Sequence, residues 1–316
     1  MTEILRVEKL CKYFPAKDAS GKTVQFKAVD GLDFAIEKGS CFGLVGESGS
    51  GKTTTGRSVL RLIEPSSGRI IYDGQDITKA NMGPYRKRMQ IIFQNPAGSL
   101  DSKYQVGDIV AEGMKANRMY PAKKEMLQKA AELLSQVGLF GDDIYRYPGE
   151  FSGGQQQRIG IARALAVEPE FLVCDEPVSA LDVSYQAQII NLLKRLQEER
   201  SLSYLFISHD MSVVRHMSDR IGIMYRGRLV ESGEADEVIQ HPAHPYTKAL
   251  LSAIPVADPG KAKSREHQPL SFADEGDHPG CSFAFRCPYA GEACRAALPQ
   301  SREIAPGHLC ACHLFA

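Results

Sequence analysis

Cys41-Phe42-Gly43-Leu44-Val45-Gly46-Glu47-Ser48-Gly49-Ser50-Gly51-Lys52-Thr53 is the stretch that decides how this chain reads. Its first five residues form a continuous apolar run, the pattern of a parallel strand covered on both faces. The next eight match G-x-x-x-x-G-K-T in full, with Thr54 following in the first turn of the expected helix. Glycines at this spacing let backbone N–H groups turn inward around a phosphate, at a helix start that carries partial positive charge. Lys52 is then placed to reach the β- and γ-phosphates, and the Thr53 hydroxyl to ligate Mg²⁺. Such a loop needs a carboxylate from a neighbouring strand. Asp175 follows the apolar run Phe171 to Cys174, where it is expected to hold Mg²⁺. Glu176 comes next, placed to orient and deprotonate an attacking water.

Moving outward, Tyr204 to Ile207 is another apolar run, and Val183 to Leu196 carries Ile189, Ile190, Leu193 and Leu196 at helical spacing. Strands alternating with a crossover helix indicate an α/β doubly wound sheet. Residues 4–36 and 69–77 read instead as short strands with turn signals, a small antiparallel layer. Residues 106–165 read as mostly helical, with Met126, Ala130, Leu133, Leu134 and Val137 on one apolar face. From about Val256 to Gly280 the chain turns rich in Pro, Gly and charged residues, the composition of a linker or long loop.

The 316 residues are 43% hydrophobic and 24% charged, which excludes a disordered or fibrous chain. Lys and Arg total 38, as do Asp and Glu, so bulk positive charge does not point to nucleic acid. No apolar run approaches the roughly 18 residues of a membrane span, and the N-terminal residues lack a signal-peptide pattern. A cytosolic chain that meets a membrane through partners is expected.

Phe151-Ser152-Gly153-Gly154-Gln155 precedes a helix start, a second anion site without a lysine. Two phosphate sites in one chain make sense if each completes a different nucleotide across a dimer interface. With these residues the sequence resembles the ATP-binding subunits of ABC transporters. Walker A is Gly46–Thr53, the signature Phe151–Gln155, and Walker B ends at Asp175. The D-loop is Ser179-Ala180-Leu181-Asp182, Gln94 matches the Q-loop, and His209 matches the switch histidine. Phe14 matches the aromatic that stacks on adenine, with Tyr13 as the alternative. The resemblance implies a P-loop NTPase fold of the ABC type: a RecA-like core, an antiparallel β layer, and a helical insertion at about 97–165, together spanning residues 1–245. It also implies a head-to-tail sandwich. ATP on one Walker A would be closed by Ser152 and Gly154 of the mate, with Glu176 as general base and His209 on the γ-phosphate. Gln94 would sense Mg²⁺ together with Thr53 and Asp175, and contact the membrane subunits.

The stretch His241 to Leu251 and the cysteine-rich end resemble peptide importers of the oligopeptide/dipeptide type, whose C-terminal extension would cover 246–316. That implies an ATPase driving bacterial import of di- or oligopeptides from the cytoplasmic face of the inner membrane. Its partners would be two permease subunits, an extracytoplasmic solute-binding protein and a second ATP-binding subunit, the same or a related chain. Nickel and glutathione importers share this tail and stay open as alternatives; a soluble ABC protein of DNA repair or translation fits less well. Five of the eight cysteines lie in the last 36 residues. Cys281, Cys287, Cys294 and Cys312 suit structural zinc poorly, because zinc ligands usually come in pairs two to four apart. A [4Fe–4S] cluster, which the resemblance also suggests, zinc, and plain thiols all remain open, as does Cys310 as the fourth ligand.

Overall fold

The computed structural model describes residues 2–17, 21–253 and 279–315. The stretch expected as a linker, about 256–280, therefore lies outside the described residues except for its last two. Two sheets organise the fold. In the first, β1 (Glu3–Lys17) and β2 (Thr23–Glu37) form a long antiparallel hairpin. β4 (Ser67–Tyr72) pairs with the other edge of β1, and β5 (Gln75–Asp76) pairs with β4. The order is β2-β1-β4-β5, an antiparallel layer as expected, although β1 and β2 run 15 residues each where short strands were expected.

The second sheet has eight strands among the described residues. At its centre β3 (Cys41–Val45) lies parallel to β8 (Ser203–Ser208) and to β9 (Arg220–Tyr225). Beyond β8 follow β7 (Phe171–Asp175) and β6 (Met89–Ile92), also parallel. Every residue of β3, β7 and β8 is buried, which is why these strands read as unbroken apolar runs rather than as alternation. α7 (Val183–Arg200) crosses between β7 and β8 and buries Ile189, Leu193 and Leu196. Each such side chain contributes about 1.5–3 kcal/mol of transfer free energy.

Past β9 the sheet turns antiparallel through β10 (Arg228–Glu234), β12 (His308–Cys310) and β11 (Arg302–Ala305). Glu231 of β10 faces Cys310, so the main sheet runs across the boundary expected at residue 245. A buried contact fastens this junction. The Glu231 carboxylate accepts the backbone N–H groups of Ala243 and His244 at 2.8 and 2.9 Å, and His308 Nε2 lies 2.8 Å away.

α2 (Gly83–Arg88) leads into β6, and between β6 and β7 lie α3 (Pro96–Ser99), α4 (Val106–Ala116), α5 (Lys123–Gln136) and α6 (Gly153–Leu165). Ala130, Leu133, Leu134 and Val137 are buried as their helical spacing required, with Met126 packed at the margin of the same core. Among the described residues no helix is long and apolar enough to cross a membrane.

Candidate functional site: a phosphate loop facing two carboxylates

The loop between β3 and α1 (Lys52–Val59) lines a cleft of about 630 Å³. Two of its glycines have no substitute. A Cβ on Gly46 would lie 2.1 Å from the Met224 carbonyl oxygen. One on Gly51, at φ +103°, would lie 2.0 Å from that of Ala28. Lys52 is buried beneath the loop. Its ammonium donates to the carbonyls of Gly46 at 2.8 Å and Glu47 at 2.9 Å, and lies 3.4 Å from Ser50 Oγ. Burial lowers its pKa, and the negative charges of Glu176, Asp175 and Glu47 oppose that fall.

The two carboxylates do different work. Asp175, at the buried end of β7, accepts from Thr53 Oγ1 at 2.7 Å through Oδ1. Its other oxygen has no hydrogen-bond partner among the described residues, with Arg57 Nη2 at 4.0 Å. Burial raises its pKa, and the Thr53 hydroxyl and Arg57 partly counter this. A buried carboxylate oxygen without a donor, beside a threonine hydroxyl, is a donor set that fits Mg²⁺. Glu176 stands one residue further in left-handed backbone at φ +46°, strain of the kind that clusters at functional sites. One of its oxygens, Oε2, receives Gln94 Nε2 at 2.9 Å and lies 3.3 Å from His209 Nδ1. Gln94, Glu176 and His209 follow the ends of three separate strands, β6, β7 and β8, and all line the cleft.

Ser152, Gly153 and the D-loop residues sit elsewhere. Ser152 caps α6, accepting from the Gln155 N–H, while the Gln155 side chain accepts from the Ser152 N–H at 2.9 Å. Ser152 and Gly153 are exposed, and no residue of Phe151–Gln155 lines the cleft of its own chain. Ser179 bonds the Glu176 carbonyl, and Leu181 lies beside Gly153, so the D-loop joins Walker B to the signature.

Phe14 is the ring that the resemblance places on adenine. It does not line the cleft; it pairs across the hairpin with Phe26, and the Lys12 ammonium stands 4.9 Å from its ring centre. Tyr13, the alternative, is engaged through its hydroxyl with Asp30 at 2.6 Å. Phe26, 55% exposed on β2, is the aromatic that lines the cleft, and nothing in its local sequence marks it. Leu250 and Ala28 complete the lining and were equally unmarked.

The four cysteines lie in one patch, with the Cys281 N–H donating to the Cys294 carbonyl at 2.7 Å. Burial raises the Cys281 thiol to about 11, and its thiol neighbours Cys294, Cys312 and Cys287 push the same way. Among the described residues, however, no group of three or more His, Cys, Asp or Glu is close enough to hold a metal ion. The geometry therefore supports neither zinc nor an iron–sulfur cluster there. Cys310, the other candidate, is buried on β12 beside Glu231.

A family model described as "ABC transporter" matches residues 29–179, and one described as "Oligopeptide/dipeptide transporter, C-terminal region" matches residues 230–294. The chain is 48% identical to a putative oligopeptide transport ATP-binding protein, YkfD of Bacillus subtilis, over 99% of this chain and 95% of the relative. It is 46% identical to the oligopeptide transport ATP-binding protein AppF of the same organism, over 99% and 97%. Among solved structures, cbiO1 from Clostridium perfringens superposes with TM-score 0.64 at 28% identity, covering 76% of this chain and 92% of that one. The dimeric ATP-binding cassette MJ0796, in a post-hydrolysis state with ADP and Pi, gives 0.65 at 25% identity, covering 73% and 98%. The chain belongs to the ATP-binding subunits of ABC transporters, in the oligopeptide/dipeptide family, and is an ATP-hydrolysing subunit of such a transporter.

Proposed function

We propose that this chain hydrolyses ATP to drive bacterial import of di- or oligopeptides, working at the cytoplasmic face of the inner membrane. Its partners are two permease subunits, an extracytoplasmic solute-binding protein and a second ATP-binding subunit. One observation carries the two-subunit site. The exposed signature helix start lies outside the cleft of its own chain, so the donors that would close over a γ-phosphate must come from a neighbour. The dimeric state of MJ0796 supports the same arrangement. The peptide assignment rests on the C-terminal family match and on the named relatives.

In this reading the Walker A amides and Lys52 bind the triphosphate, and Phe26 takes the adenine face in place of Phe14. Mg²⁺, when bound, neutralises phosphate charge and is held by Thr53, Asp175 and Gln94. Glu176 accepts the proton of the attacking water, and His209 orients that carboxylate and contacts the γ-phosphate. Ser152 and Gly154 of the neighbour exclude water and supply donors where charge develops. Gln94 begins the segment that leads to α4, next to a hollow lined by Ser99, Asp101, Tyr104 and Arg163. That hollow is where a permease loop would dock and sense the Mg²⁺ site.

The test is reconstitution with the permease pair and binding protein in proteoliposomes. Peptide-loaded binding protein is expected to raise ATP turnover at least severalfold and to drive peptide uptake. Stimulation by nickel or glutathione but not by peptide would overturn the assignment. A [4Fe–4S] cluster on Cys281, Cys287, Cys294 and Cys312 rests on the sequence resemblance alone; colourless anaerobic protein without iron or acid-labile sulfide would end it.

A further inference from the structure

Glu47, the second residue of Walker A, is gripped by the C-terminal part of the chain. Arg286 donates to both oxygens of its carboxylate, at 2.8 and 2.9 Å. Tyr246 accepts the Glu47 backbone N–H at 2.9 Å through its hydroxyl. The Arg286 side chain is only 17% exposed, and its guanidinium stands 5.8 Å from the ring centres of both Tyr225 and Phe283. Those two rings pack with Tyr246, Tyr225 at 4.6 Å and Phe283 at 5.4 Å, so the fork is held in place by an aromatic wall. A bidentate arginine–carboxylate pair on such a support has little freedom to separate.

The charge on Glu47 matters because of where it sits. Its backbone carbonyl accepts from the Lys52 ammonium, and the residue lines the phosphate cleft. Its negative charge reaches Lys52 itself. A bare carboxylate there would face an incoming triphosphate, and like charges at close range disfavour binding. We propose that Arg286 is a positioning residue for ATP: it neutralises the Glu47 carboxylate and holds it away from the incoming phosphates, making the C-terminal segment part of the nucleotide site. This rests on the cleft being the ATP site.

The test is a fluorescence titration of the full-length chain with a labelled ATP analogue. R286A is expected to weaken binding about tenfold, equivalent to about 1.4 kcal/mol. R286A/E47Q is expected to recover to within about threefold of the unmodified chain, because the repelling charge has gone. R286K, a point charge without the fork, should fall between. A packing role would respond differently: removing Glu47 as well could not restore binding. Unchanged affinity in R286A, or no recovery in the double variant, overturns the proposal. Should R286A not fold, R286K and E47Q decide. R286K must bind more weakly than the unmodified chain and E47Q at least as tightly; either reversal refutes the inference. Failure of the unmodified chain to bind would strike the nucleotide site instead, a distinct result.

Discussion

Replacing Glu176 with Gln is expected to leave ATP affinity within about twofold and to lower kcat by about 10²–10⁴-fold, the range that a general base supplies. The reason is local. Glu176 shares Oε2 with Gln94 Nε2 and His209 Nδ1, whereas the Lys52 ammonium hydrogen-bonds the loop through the Gly46 and Glu47 carbonyls. The amide keeps the size and one acceptor oxygen but cannot take a proton from water. ATP should therefore bind, close the sandwich and persist. A photocrosslinker placed at Ser152 should then join the phosphate loop of the neighbouring ATP-binding subunit in this variant, and only with nucleotide. Turnover within tenfold of the original would remove Glu176 as the base. An absence of nucleotide-dependent crosslinks would remove the shared site.

The Lys52→Met variant should separate binding from stability. ATP affinity is expected to fall at least 10²-fold by calorimetric titration, since charge-assisted hydrogen bonds contribute about 1.5–3 kcal/mol each and the ammonium faces several phosphate oxygens. The thermal midpoint should stay within a few degrees. Lys52 is 4% exposed, burial already disfavours its charged form, and Met fills a similar volume without a charge to desolvate. Its hydrogen bonds go to the carbonyls of Gly46 and Glu47, two residues that line the cleft. Affinity retained within threefold would show that the ammonium does not reach the nucleotide.

Much of the chemistry is legible in the sequence because it depends on short-range order. Gly51 takes a left-handed backbone at φ +103° inside one loop, and Ser152 with Gln155 forms a capping box within four residues. The buried strands Cys41–Val45 and Phe171–Asp175 show as apolar runs because helices or a second layer cover both faces. The helical face of Ala130, Leu133 and Leu134 shows for the same reason of period.

Contacts between residues far apart in the chain were not legible. Phe26 reaches the cleft because the β1–β2 hairpin pairs it with Phe14, and a register is set by the whole ladder rather than by either residue's neighbours. Arg286 meets Glu47 across 239 positions, and β12 joins the edge of β10, because burial of Tyr246 and Phe283 draws the C-terminal segment onto the core. Whether four cysteines in one tail stand close enough to ligate a metal also depends on how that tail folds, which their spacing alone does not determine. The sequence alone thus determined the nucleotide chemistry, since a phosphate loop is a local backbone shape that only certain residue types permit. The tertiary structure decided which aromatic lines the cleft and which arginine steadies the loop, since side chains distant in the chain are brought together only by packing.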